Sequence, residues 1–472
     1  MRLRPPLPLV AILFACAPSI TSAETQQIAI LHDNDLHGHL RSFCYVELSR
    51  GSDERCGVGG AARRASLIVR LRAHSKAPTA LVDVGDTSTR GPLATEYEGQ
   101  DEIAAMNAIG YDLAALGNNE FKLKDGVDQA DAAGAQAALQ RLIAQSRFPW
   151  LCANVTDARG DFIKGVKPFV VRRMGRLRVA FLGLTTLKSV RYPQTKGLTF
   201  EDPVAAAARW VPKARAEADV VIAVTHLGVA GDQDLARRTR GIDAIVGGDS
   251  HTFLYAPLHE RNLDDQPVPI VQDGEFGANL GDLQLTFQRR RDRSWALVRD
   301  RGRLIPIDRR TAAKPAVAAI VERYAAPLDA VVGAAPPPAA DVARRKTQTA
   351  EILAAAWRSA TGADIGLEPE DAPYEVFRTP QVTRYQVHAI LPFHQNVSTL
   401  ELTGVELKAL LQAPPKPFLG ALRVTIRPDQ IEESKRYSIA MVDAAAQTLG
   451  LSGARDSGRE TRASLEAYLS RP

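Results

Sequence analysis

The 472-residue sequence has only four cysteines, four methionines and four tryptophans, and aromatic residues make up 6% of it. So few cysteines exclude a disulfide-built scaffold, and with no CxxC pair a cysteine zinc site is excluded as well. No block of charge of one sign is present. Lys plus Arg number 59 and Asp plus Glu 54, giving a formal net charge of +5, so a nucleic-acid-binding polycation is not indicated. The densest basic stretch, QRRRDRSWALVRDRGR at 288–303, alternates apolar and charged residues around Trp295, Leu297 and Val298 and reads as a solvated hairpin. No apolar run approaches the ~20 residues that span a bilayer. What is present is ordinary: 45% hydrophobic and 24% charged residues. That composition belongs to globular proteins, and the length predicts two or three domains.

The first residues, MRLRPPLPLVAILFACAPSITSAETQ, form a leader. Arg2 and Arg4 precede a short apolar run from Leu7 to Ala17, and small residues follow to Ala23. This pattern predicts a signal peptide over 1–23, cleavage after Ala23, and a periplasmic or secreted protein with no integral membrane segment once the leader is removed. Lipid attachment at Cys16 is the lesser alternative. Cys44 and Cys56 bracket a polar loop, a spacing that suits a loop-closing disulfide in an oxidising compartment. Cys152, inside PWLCANV, reads as a buried thiol.

From residue 27 to 290, short Val/Ile/Leu runs alternate with helical patterns. QIAIL, TALVDV, LRVAFLGL, DVVIAVTH and DAIVGG read as buried strands of an α/β layered domain. Lys314 to Val332 is amphipathic, and GAAPPPAA follows at 333–340. The expected organisation is a first domain over 24–312, a helical and Pro-rich connector over 313–335, and a smaller α/β domain over 336–472.

Most strand ends in the first domain stop in a possible ligand. Asp35 and His37 lie in HDNDLHGH, Asp86 in VDVGDTS, Asn118 in ALGNNEF, His226 in VIAVTH, and Asp249 and His251 in IVGGDSH. Ligands collect at the carboxyl ends of strands in α/β folds. Seven oxygen or imidazole donors recurring there form a metal constellation.

DLH, GD, GNN, TH and GGDSH in this order resemble the signature of the binuclear metallophosphoesterases. ILHDNDLHGHL, FPWLCANV, RVAFLGLTT and GIDAIVGGDSHT are more narrowly similar to the periplasmic 5′-nucleotidase and UDP-sugar hydrolase family. The likeness continues, more weakly, through ATGADIGLE, VHAILPF and LELTGVELKALL. It implies a four-layer metallophosphoesterase sandwich followed by a divergent C-terminal domain, two divalent metal ions, and a nucleotide or other small phosphate-containing substrate. By resemblance, Asp35, His37 and His251 hold the first ion, Asp86 bridges, and Asn118, His226 and Asp249 hold the second.

Three positions depart from the family. Asn119 stands where the family has the histidine that aids the leaving group, and Lys122 where an aspartate orients that histidine. Asp249 replaces a metal-binding histidine; as a hard anionic donor it favours manganese or magnesium over zinc. The second domain lacks the glycine-rich phosphate loop in LEPEDAPYEVFRTP. Phe393 matches a base-stacking phenylalanine, expected to face the metals across a cleft, and Gln395 replaces an asparagine. The leading expectation is metal-dependent hydrolysis of phosphate esters or anhydrides with weakened monoesterase activity. A non-catalytic metal- or nucleotide-binding descendant and a hydrolase of a non-nucleotide ester remain the alternatives.

Overall fold

The computed structural model describes residues 24–47, 53–123, 131–416 and 419–471. The leader, with Cys16, lies outside the described residues.

The first domain is built on strands that alternate their faces. In β1 (Thr25–Asp33), Ile28 and Ile30 point into the core between two sheets, while Leu31 points to the helices outside. Both faces are buried, which is why the sequence is apolar at consecutive positions. β2 (Thr79–Asp83) and β3 (Leu113–Ala115) extend this sheet in parallel. Strands Asn279–Arg289 and Trp295–Pro306 close its other edge as an antiparallel hairpin, so the basic stretch at 288–303 is indeed a hairpin. In the second sheet, β4 (Leu177–Thr185), β5 (Val220–His226) and β6 (Ala244–Gly247) run parallel to one another. Phe181, Ile222 and Val224 meet Ile30 and Val82 between the sheets. Helices Ala61–His74, Gln100–Ile109 and Ala132–Gln145 cover the first sheet, and Pro203–Glu217 and Gly228–Arg238 the second. The result is the four-layer α/β/β/α sandwich.

The second domain holds a five-stranded sheet whose central members are Ile365–Pro369, Arg436–Val442 and Asn396–Thr403. Helix Val342–Thr361, capped by Asp341, buries Trp357 against it. The stretch expected as a connector divides between the two bodies. Helix Pro315–Ala325 buries Val317 and Val321 in the first domain's core. Strand Val331–Ala334 instead pairs with Gln381–Thr383 of the second domain.

Cys44 and Cys56 form a disulfide across a two-stranded hairpin. Inside the loop it closes, Glu54 accepts from Arg345 at 2.8 Å and Arg378 at 2.6 Å, tying the hairpin to the second domain. Cys152 is buried, and burial pushes its thiol up to about 12.

Candidate metal centre and interdomain cleft

β1, β2, β3, β5 and β6 all point their carboxyl ends to one place, and each hands a donor to the turn that follows or, in β5, ends on one. Asp35, His37, Asp86, Asp249 and His251 hold φ of 51°, 45°, 54°, 78° and 53°. Left-handed backbone is disfavoured for side-chain-bearing residues and gathers at functional sites. The turns are also tight: a Cβ on Gly117 would lie 2.3 Å from Asp86 Oδ1.

Two groups of donors converge. Asp35, His37 and His251 form one, and Asp35, Asp86 and His226 the other. Asp35 Oδ1 lies 3.8 Å from His37 Nε2, 3.8 Å from His226 Nε2 and 3.3 Å from His251 Nε2. Asp86 presents one oxygen to each side, Oδ2 at 3.7 Å from His37 and Oδ1 at 3.3 Å from His226. Asp249 Oδ1 is 3.8 Å from His226 Nε2. With its amide turned to suit its neighbours, Asn118 donates to Asp249 Oδ1 at 3.1 Å and accepts from the Asn119 amide at 3.1 Å. Asp35 Oδ1 and His226 Nε2 are fully buried and have no hydrogen-bond partner. Buried polar atoms are ordinarily satisfied, so these orphans fit a site that holds metal.

Outer contacts fix the donors. Val84's carbonyl accepts from His226 Nδ1 at 3.0 Å, which aims Nε2 inward. Glu275 holds His251 through Nδ1. Glu120 accepts from the backbone amides of Asp86, Thr87 and Gly117 at 3.0, 2.8 and 2.7 Å. Burial, then the Asp86 charge, pushes the Glu120 carboxyl up to about 7. Burial and then the Arg90 guanidinium hold His37 well below the usual histidine range. His226 is likewise buried, but the carboxylates of Asp86, Asp35 and Asp249 outweigh that cost and raise it.

Asn119 is buried at 3% exposure and clasps Asp86: its backbone N–H donates to Oδ1 at 2.7 Å and its amide donates to Oδ2. Lys122 Nζ sits 4.0 Å from the centroid of the Tyr192 ring, and the Tyr192 hydroxyl lies 3.4 Å from the Asn118 amide. Sequence reasoning missed Lys188, whose ammonium lies 2.8 and 2.7 Å from the two Asp249 oxygens. Nothing in its local sequence marks it, since it reaches Asp249 from a different loop. Glu275 was equally unmarked, whereas Glu120 lay in plain view inside GNNEF.

The second domain meets the first beside this centre. A cavity of about 360 Å³ between the domains is lined by His39, Phe276 and Arg90 on one side and Tyr374, Arg378 and Tyr385 on the other. Phe276 stacks on His39 at 4.1 Å and stands edge-on to His37 and His251 at 5.9 and 6.1 Å. Phe393 and Gln395 line a neighbouring second-domain cavity of about 480 Å³. Phe393 packs at 5.2 Å against Tyr374, which walls both cavities. Phe393 thus lines the second-domain cavity, one ring removed from the interdomain one.

Comparison with known proteins agrees with this architecture. The calcineurin-like phosphoesterase model matches residues 28–253, and the 5′-nucleotidase C-terminal domain matches 331–450. A snake venom 5′-nucleotidase from Gloydius brevicauda is 31% identical over 307 residues, covering 60% of this chain and 49% of the relative. A Bos taurus 5′-nucleotidase is 29% identical, covering 68% and 56%. The chain thus spans about half the length of these curated relatives. The structure of a 5′-nucleotidase precursor from Thermus thermophilus superposes with a TM-score of 0.72 at 24% identity, covering 94% of this chain and 96% of that one. A sulfate thiohydrolase from the same organism gives 0.66 at 19%, covering 94% and 95%, a likeness of fold. Strand order, converging donors and both domain matches agree: the chain belongs to the calcineurin-like phosphoesterases that carry a 5′-nucleotidase C-terminal domain.

Proposed function

We propose that this chain is an exported, two-metal phosphoester hydrolase acting on nucleotides, strongest on substrates with good leaving groups. The observation that carries the reading is the pair of donor groups sharing Asp35, with orphaned atoms at their centre. Asp35, His37 and His251 would hold one divalent ion and Asn118, His226 and Asp249 the other, with Asp86 between. Bound there, two such ions supply charge neutralisation of a phosphate and acidification of water. The carboxylate at position 249 supports manganese over zinc. The Cys44–Cys56 disulfide supports an oxidising, periplasmic or secreted location, and no described helix is long and apolar enough to cross a membrane.

The chain's own residues set the leaving-group dependence. Asn119 holds the Asp86 carboxylate in place but carries no proton it can give up at neutral pH. Lys122, drawn over Tyr192, sits away from the histidine's role of a fixed acid. A sugar alkoxide leaving group therefore departs unaided, and loss of a positioned acid costs roughly 10²–10⁴ in rate. Aryl phosphates and phosphoanhydrides need little such help. The test is phosphate release from 4-nitrophenyl phosphate, ADP and 5′-AMP by manganese-loaded protein. The first two are expected to be cleaved and 5′-AMP slowly; no release from any of the three would mean a non-catalytic binder.

A further inference from the structure

Three arginines line the interdomain cavity, and they are not equivalent. Arg41 binds both Glu322 and Asp329. Arg378 binds Glu54 at 2.6 Å and Glu375 at 2.7 Å. Each brings a charge that is already spent. Among the described residues, Arg90 pairs with no carboxylate and makes no hydrogen bond through its side chain. It is nonetheless partly buried, and it stands on the turn that follows Asp86. It lines the cavity together with Phe276, whose ring stands edge-on to His37 and His251 of the donor cluster.

The backbone at Arg90 is also unusual. Its φ is +65°, a conformation glycine adopts freely and an L side chain does not. Two costs therefore fall on one residue: a left-handed backbone and a partly desolvated, uncompensated guanidinium. Both are explained if an anion occupies the space in front of it. The flat, forked guanidinium suits an oxyanion with two oxygens to offer. The second domain lacks a glycine-rich phosphate loop, so the first domain would provide this contact itself.

We infer that Arg90 is a substrate-binding residue, gripping the oxygens of a phosphate group held against the donor cluster. The inference rests on the phosphoester reading above and names the residue that recognises the phosphate. Arg90→Gly is the informative variant, because glycine relieves the strained φ and so preserves the fold. In manganese-loaded protein, binding of inorganic phosphate by titration calorimetry should weaken by roughly 10- to 100-fold, the worth of a charged hydrogen-bonded contact. The melting temperature should stay the same or rise. Free guanidinium should restore part of the lost affinity. Arg41→Ala, which removes an already neutralised arginine from the same cavity, should change it by less than about threefold.

Phosphate binding by Arg90→Gly within threefold of wild type would overturn the inference, as would an equal loss in Arg41→Ala or no phosphate binding by the wild type. The two readings separate cleanly. Wild type that hydrolyses esters while Arg90→Gly binds phosphate normally loses only the Arg90 role. Wild type that binds phosphate through Arg90 but releases none from any ester loses only the hydrolase reading.

Discussion

The two domains meet at one cleft but are built for it in opposite ways. In the first, donors sit on turns directly after parallel strands, buried and braced by Glu120, Glu275 and the Val84 carbonyl. In the second, Tyr374 and Arg378 reach the cleft from the segment following strand Ile365–Pro369; Tyr374 packs on Phe393 of its own domain, while Arg378 pairs with Glu375 and, across the cleft, with Glu54. Metal chemistry tolerates little positional error, so its ligands are tied to the sheet. Recognition of a substrate's remote parts tolerates more, and is left to loops.

The largest test of this contrast is Asp86→Ala. One carboxylate faces both His37 and His226, so its loss should lower affinity for both ions by at least about 100-fold, more than loss of an outer partner costs. Metal analysis after dialysis checks this. Full metal content in the variant would show that Asp35 alone joins the two groups.

The second domain gives the next largest effect, on stability. Glu368 lines the Phe393 cavity, is buried at 2% exposure and accepts from Trp357 Nε1 at 2.8 Å. Burial pushes its carboxyl up to about 8, above the unfolded value. Its contribution is thus fully present at pH below about 4.5 and lost as pH rises through about 8. Glu368→Gln keeps the acceptor and removes the proton. Urea unfolding should show the variant equal to wild type near pH 5 and more stable by a few kcal/mol near pH 8. Parallel pH profiles would mean that water or movement relieves the buried acid.

Returning to the metal side, the double variant Asn119→His with Lys122→Asp should raise kcat/KM for 5′-AMP by about 10², with a much smaller rise for an aryl phosphate. The comparison requires matched metal occupancy. An equal gain on both substrates would place the defect in phosphate or metal binding instead of leaving-group departure.

The smallest expected effect belongs to Phe393→Ala. If its cavity takes the base, nucleotide affinity should fall by about 1–3 kcal/mol while inorganic phosphate binds unchanged. Unchanged nucleotide affinity would hand the base to Tyr374, which lines the interdomain cavity.

Some of this was legible in the residues alone. Asp35, His37, Asp86, Asn118, His226, Asp249 and His251 could be picked out because each follows or ends a strand, and the strand pattern is written in local apolar runs. The α/β layering followed from the same alternation, and the four-layer arrangement from the family resemblance. Asn119 and Lys122 stood out against the family pattern at once. Lys188, Glu275, Tyr374 and the isolation of Arg90 did not. Each depends on which distant loop lies opposite: Lys188 meets Asp249 across 61 positions of sequence. Sequence periodicity reports only how a segment buries its own face. So the sequence by itself determined the sheets, their order of donors and the chemistry those donors favour. Only the tertiary structure decided that Asp249 carries an ammonium partner, that Tyr374 packs on Phe393 and walls both cavities, and that, among the described residues, one of the three arginines lining the cleft pairs with no carboxylate. Those are properties of contacts between segments, fixed by packing and charge pairing after the chain has closed on itself.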